Sequence, residues 1–127
     1  MYKSIAHRFQ VALSIALFAV TACSASLADR FIVRDGHTRA EIVISETAVP
    51  LTRLAATELQ QYIKKISGAV LPVVTLPSDE VAIQIYVGRS VYTDRHNVQA
   101  DDLEHDAFRI VSGGNWLALV GRDLPFL

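Results

Sequence analysis

Cysteine is nearly absent: Cys23 is the only one in 127 residues. A lone thiol cannot close an internal disulfide, so a fold built here depends on its apolar core and not on covalent cross-links. The chain also lacks a dominant charge, with 12 Lys and Arg against 13 Asp and Glu. Its one adjacent basic pair is Lys64-Lys65, which suits the C-terminal turn of a helix. Phosphate binding needs a clustered basic surface, so nucleic acid is not an expected partner. No internal repeat or low-complexity stretch is present.

Apolar residues, by contrast, are plentiful at 51%. Part of that fraction is not core material, because Phe9 to Ala22 is an almost unbroken hydrophobic run close to the N-terminus. Lys3 and Arg8 precede it and small residues from Thr21 to Ala28 follow, the three-part pattern of an export signal. The run is too short to cross a hydrocarbon core of about 30 Å comfortably, so residues 1–28 are expected to be a signal peptide and not a membrane anchor.

Two processing patterns overlap there. Ser26-Leu27-Ala28 fits cleavage before Asp29, whereas Val20-Thr21-Ala22-Cys23 resembles a bacterial lipobox in which Cys23 becomes lipidated. Soluble release is the favoured alternative, and a membrane is a partner only if Cys23 carries lipid. The expected location is the periplasm or the extracellular space, or the outer membrane for a lipoprotein. Both basic residues of the leader are removed with it and no acid is, which leaves 10 basic against 13 acidic groups, about three net negative charges.

The remainder, residues 29–127, is long enough for one core. Phe31-Ile32-Val33 and Ala40 to Ile44 are β-branched runs on either side of Asp35-Gly36, a strong hairpin cue, and are expected to pair antiparallel. Ile42 and Ile44 fall on one face, Glu41 and Val43 on the other. From Leu51 to Ser67 the period changes, and Ala55, Leu59, Tyr62, Ile63 and Ile66 recur at helical spacing. Pro50 marks the start of this helix and Gly68 its end.

Strand grammar then returns. Val70 to Leu76 is interrupted by Pro72, which predicts an edge strand or one that begins after the proline. Val81 to Val87 alternates cleanly, with Ile83, Ile85 and Val87 on one side and Ala82, Gln84 and Tyr86 on the other, the pattern of a half-buried strand. Arg89 to His105 is polar, with Val91, Val98 and Leu103 as apolar anchors, and reads as a long loop holding at most a short helical turn. Phe108 to Val111 and Trp116 to Val120 flank Ser112-Gly113-Gly114-Asn115, a second hairpin. The expected fold is therefore α+β: a small mixed sheet of five to six strands with one main amphipathic helix packed on a face, a two-layer sandwich. It is expected to be cut short before a final helix, because Leu124 to Leu127 follow directly on a strand.

Candidate chemistry is thin. Glycoside hydrolysis needs two carboxyl groups about 5 to 10 Å apart, and no acid stands clearly at the end of a buried strand; Glu58 reads as a solvated helix flank. His96, Asp101, Asp102, Glu104, His105 and Asp106 form the densest polar cluster. They have neither the alternating spacing of a calcium loop nor the one-turn His spacing of a zinc site, so no metal is expected and a solvated loop is. Gly113-Gly114 lacks the Lys-Ser/Thr of a phosphate loop, and no Gly-x-Ser-x-Gly elbow accompanies the serines. No cofactor is expected. Trp116 and Tyr86 have aromatic faces that could stack on sugar rings, with core packing the plainer role for both.

The stretch Ala55-Ala56-Thr57-Glu58-Leu59-Gln60-Gln61-Tyr62-Ile63-Lys64-Lys65-Ile66-Ser67-Gly68-Ala69-Val70-Leu71-Pro72-Val73 resembles the helix-to-strand segment in the N-terminal domain of bacterial α-glucuronidase-like glycoside hydrolases. Ile85-Tyr86-Val87-Gly88-Arg89-Ser90 is similar to that domain's following strand end. Asp106 to Ile110 with Leu119-Val120-Gly121-Arg122-Asp123 looks like its closing hairpin. The likeness covers Phe31 to Asp123. Similar domains also precede the barrel in β-N-acetylhexosaminidases. The resemblance implies a non-catalytic accessory domain of an exported carbohydrate-active enzyme, packing against a (β/α)8 barrel that would hydrolyse O-glycosyl bonds and that this chain does not include. The alternative is a free-standing or lipid-anchored envelope module that binds polysaccharide or a partner protein.

Overall fold

A computed structural model describes residues 31–122. The expected signal segment, Cys23 and Leu124 to Leu127 lie outside the described residues. Seven short strands and two helices follow in order: β1 Val33–Arg34, β2 His37–Thr38, β3 Ala40–Val43, α1 Pro50–Ser67, β4 Val73–Val74, β5 Ile83–Val87, α2 Val91–Arg95, β6 Phe108–Ser112 and β7 Trp116–Gly121. The fold is α+β. A five-stranded mixed sheet, ordered β4-β3-β5-β7-β6, stands beside the two-stranded ribbon β1-β2, and α1 packs on the larger sheet.

The first hairpin differs from its expected form. Asp35 and Gly36 do turn the chain, both at positive φ, but they join β1 to β2 with Val33 opposite Thr38. Residues Ala40–Val43 leave that ribbon and run parallel to both β4 and β5. The physical reason is burial: all four residues of β3 are buried, a condition met inside a parallel array covered on both faces and not in an exposed ribbon. The second hairpin forms as expected, with Ile110 opposite Leu119. β4 starts after Pro72 and lies at an edge, and the proline's carbonyl still accepts from the Ile42 N–H at 2.8 Å.

Strand alternation sorts the sheet into two cores. Ala40, Ile42, Ile44, Ile83, Ile85 and Val87 face α1 and enclose Ala56, Ile63 and Leu71. Val43, Tyr86, Ala118 and Val120 face the other way, where Val98 and Ala100 from the segment after α2 cover them and Leu103 packs half-buried. That segment is the expected polar loop, and α2 is its short helical turn, held by reciprocal bonds between Ser90 and Thr93. Val91 is exposed and is not an anchor; Ala100 takes that part.

α1 lies rotated from its expected face. Thr52, Ala56 and Ile63 are its buried residues and Leu59 is half-buried, while Ala55, Tyr62 and Ile66 point outward. The two stripes share Leu59 and Ile63 and the same spacing; the choice between them falls on the small residues because the helix crosses close over the sheet at Gly88. A Cβ on Gly88 would stand 2.5 Å from the Thr52 methyl, and Gly88 has φ +75. Gly88→Ala should therefore cost about 2 kcal/mol or more, from backbone strain and displacement of α1 together. Urea unfolding of the variant checks this, and a loss under about 0.5 kcal/mol would mean the helix has slack there. Gly68 ends α1 in the left-handed conformation, its N–H donating to the Lys64 carbonyl at 2.8 Å.

Candidate functional site

Two surfaces on opposite faces of the sheet stand out. The first follows from α1 being a single helix on a five-stranded sheet. It covers the β3 and β5 side, and no described residue lies over the α1-facing residues of β6: Phe108 is 72% and Ile110 60% exposed. Between these and α1 runs a groove of about 340 Å³, floored by Val87 and Leu119 and walled by Leu51, Ala55 and Leu59. Leu51, itself half exposed, adds apolar area to its rim. Gly121 and Arg122, where the described chain ends, border the same groove.

On the opposite face, register sets Glu41, Gln84 and Trp116 side by side across β3, β5 and β7, with Val43, Tyr86 and Ala118 one step further along. The segment Pro77 to Glu80 folds down over the first row. Glu41 is only 2% exposed and its Oε1 accepts from the Ser78 N–H at 2.6 Å; the Gln84 side-chain amide donates to the Ser78 carbonyl at 3.1 Å. A charged acceptor on a backbone N–H is a strong bond, so this loop is fixed from below.

Aromatic rings line the same face. His96 stacks on Trp116 with centroids 4.1 Å apart, His96 lies 5.6 Å from Tyr86, and Tyr86 stacks on Tyr92 at 5.8 Å. The Trp116 indole lies across Gly113, so close that a Cβ at Gly113 would collide with the ring. Burial raises the Tyr86 phenol above its ordinary pKa, and the Glu41 charge and Tyr92 push the same way against an opposing Arg95. Tyr86 therefore stays neutral. Between the rings and the Pro77 to Glu80 segment lies a cleft of about 280 Å³ bordered by Asp79, Gln84, Tyr92, Arg95, His96 and Asn115.

Of the residues singled out in the sequence, Trp116 and Tyr86 do meet, through His96. Trp116 is half-buried and Tyr86 only 7% exposed. The acidic cluster instead disperses: Asp101 pairs with Arg89 through two bonds of 2.6 and 3.3 Å, and Asp102 pairs with Arg109 at 2.8 Å. The Arg109 hydrogen bond is the main reason the Asp102 carboxyl is held below its usual range. Glu104, His105 and Asp106 are exposed, and among the described residues no three His, Cys, Asp or Glu side chains gather as a metal site would need. Glu58 is exposed on α1, and Gly113 and Gly114 form the β6–β7 turn.

Glu41 is the functional-looking residue that sequence reasoning passed over. Its only sequence signal is an acid inside a β-branched run. With its carboxylate engaged by a backbone N–H, it positions a loop. Both surfaces are thus equipped to bind, one by apolar area and the other by rings with a polar rim. No helix among the described residues is long and apolar enough to cross a membrane. Comparison with protein-family models, with curated proteins and with solved structures finds no match to this chain.

Proposed function

We propose that this chain is the non-catalytic N-terminal domain of an exported carbohydrate-active enzyme, and that the groove between α1 and β6 packs against a following catalytic barrel. The exposed Phe108–Ile110 face carries this reading. Large apolar side chains left in water on a regular strand, beside a helix that presents the exposed Leu51 to the same groove, form a surface of the kind that protein contacts cover. The described chain ends at this groove, so a polypeptide continuing from Arg122 starts next to the surface it would cover. The likeness of Ala55 to Val73 and of the two later blocks to the α-glucuronidase N-terminal domain supports the enzyme class, by analogy of sequence pattern.

The double substitution Phe108→Asp, Ile110→Asp tests it. In the 127-residue chain the pair should leave the melting temperature within about 3 °C of the parent, since exposed positions contribute little. It should also abolish most hydrophobic-dye binding and any self-association seen by sedimentation. A collapse in melting temperature would show that these side chains belong to the domain's own core. Hydrolysis of aryl glycosides by the purified chain above the uncatalysed rate would overturn the non-catalytic assignment.

A second reading, an envelope module that binds polysaccharide or a partner protein and is tethered only if Cys23 is lipidated, draws its support from the ring-lined cleft on the opposite face.

A further inference from the structure

We propose that the cleft between α2 and the Pro77 to Glu80 segment is a binding site for one pyranose ring of a neutral polysaccharide. The inference deepens the polysaccharide-binding reading and does not depend on the groove across the sheet.

Size is the first argument. At about 280 Å³ the cleft falls just below the usual size of ligand pockets, roughly 300 to 1,000 Å³, so it suits a monosaccharide unit and not a large ligand. Charge is the second. Asp79 and Arg95 both border it and offset each other, so an anion meets a carboxylate and a cation meets a guanidinium. A neutral ligand avoids both conflicts.

The third argument is the pattern of groups. The Tyr92 and His96 rings supply the apolar part of the lining, with the Arg95 guanidinium over the Tyr92 ring at 5.6 Å from its centroid, while Gln84, Asn115, Asp79 and Arg95 itself supply donors and acceptors. A wholly apolar ligand would leave those groups unpaired at a cost. A pyranose has an apolar C–H face and a rim of hydroxyls, each able to donate and accept, and so satisfies both halves of the lining.

The walls are also fixed in advance. Tyr86 backs Tyr92, Trp116 backs His96, the buried Thr93 locks α2 to Ser90, and Glu41 holds the opposite wall through Ser78. Preorganisation of this kind lowers the ordering cost of binding.

Trp116 is the sole tryptophan, so its fluorescence reports on the ring stack without labelling. The 127-residue chain is titrated with the methyl glycosides of glucose, galactose, mannose and xylose, with methyl glucuronide, and with sorbitol as an open-chain polyol. Saturation by at least one neutral glycoside with Kd on the order of 1 to 10 mM is expected, with no saturation by sorbitol. Tyr92→Ala and Gln84→Leu should each weaken it at least about fivefold with the fold retained by circular dichroism, and Phe108→Asp, Ile110→Asp should leave it unchanged. The proposal is overturned by absence of saturation up to about 100 mM for all four neutral glycosides, by tighter binding of the glucuronide than of any neutral sugar, or by an undiminished response in Tyr92→Ala. Because the groove variant keeps this cleft, failure here and failure of the docking reading are separate results.

Discussion

Ile42→Ala should destabilise the chain by about 3 kcal/mol and lower its melting temperature by roughly 15 °C. Ile42 is fully buried in β3, flanked by β4 and β5, with Leu71, Ile85 and α1 residues in the same core. Truncation there loses both the transfer free energy of the removed carbons and the contacts around the space they leave. Strands on both sides limit how far that space can collapse. Urea unfolding with an unchanged slope is the measurement. Ile110→Ala is the natural control: it removes the same atoms from the same sheet, but at a 60% exposed position, and should cost less than about 1 kcal/mol. Equal losses at the two sites would contradict the placement of the core on the β3–β5 side.

Glu41→Ala should cost about 2 to 3 kcal/mol, an unusual loss for removing a single acid whose hydrogen-bond partner is a backbone N–H. Its carboxylate satisfies the Ser78 N–H from inside the sheet, and without it that donor faces a void. Glu41→Gln keeps an acceptor in place and should recover more than half of the loss, although a neutral acceptor bonds less strongly. The loop and the cleft wall move together in this account, so Glu41→Ala should also blunt the Trp116 response to sugars. Thermal melts of the two variants side by side decide the matter, and equal stability of Ala and Gln would show that the hydrogen bond to Ser78 contributes nothing.

Much of the fold could be read from local signals. Gly68 closing α1, Pro72 delaying β4 to an edge, the span of β5 and the turn chemistry between β6 and β7 are each decided within a few residues and each appears where the sequence places it, but β5, which alternates like a half-buried strand, is covered on both faces. The errors arose where the deciding partner is distant in sequence. Asp35-Gly36 announces a turn but not how far the ribbon extends, and Ala40 to Ile44 reads as its second strand because alternation gives a strand's faces and not its neighbours. Parallel pairing carries no turn signature at all.

The α1 stripe illustrates a related ambiguity. Residues 55, 59, 62, 63 and 66 and residues 52, 56, 59 and 63 are both spaced for a helix face and share 59 and 63; only the close crossing at Gly88 selects the second. The candidate sites were legible in part. Trp116 and Tyr86 were visible as aromatic residues on strands, whereas the His96 ring between them comes from a loop some twenty residues before Trp116 and cannot be placed by periodicity. Glu41 was assigned the correct face, but that the Pro77 to Glu80 segment covers it is a tertiary fact.

The central claim is that Phe108 and Ile110 form a face awaiting another domain. Carbene footprinting of those two side chains tests it most directly, comparing the 127-residue chain with the product of the complete reading frame that contains it. The account predicts heavy labelling of both residues in the short chain and a several-fold drop in the complete product, with Trp116 labelled alike in the two. Equal labelling of Phe108 and Ile110 in both, or a complete product with nothing following this domain, would contradict it.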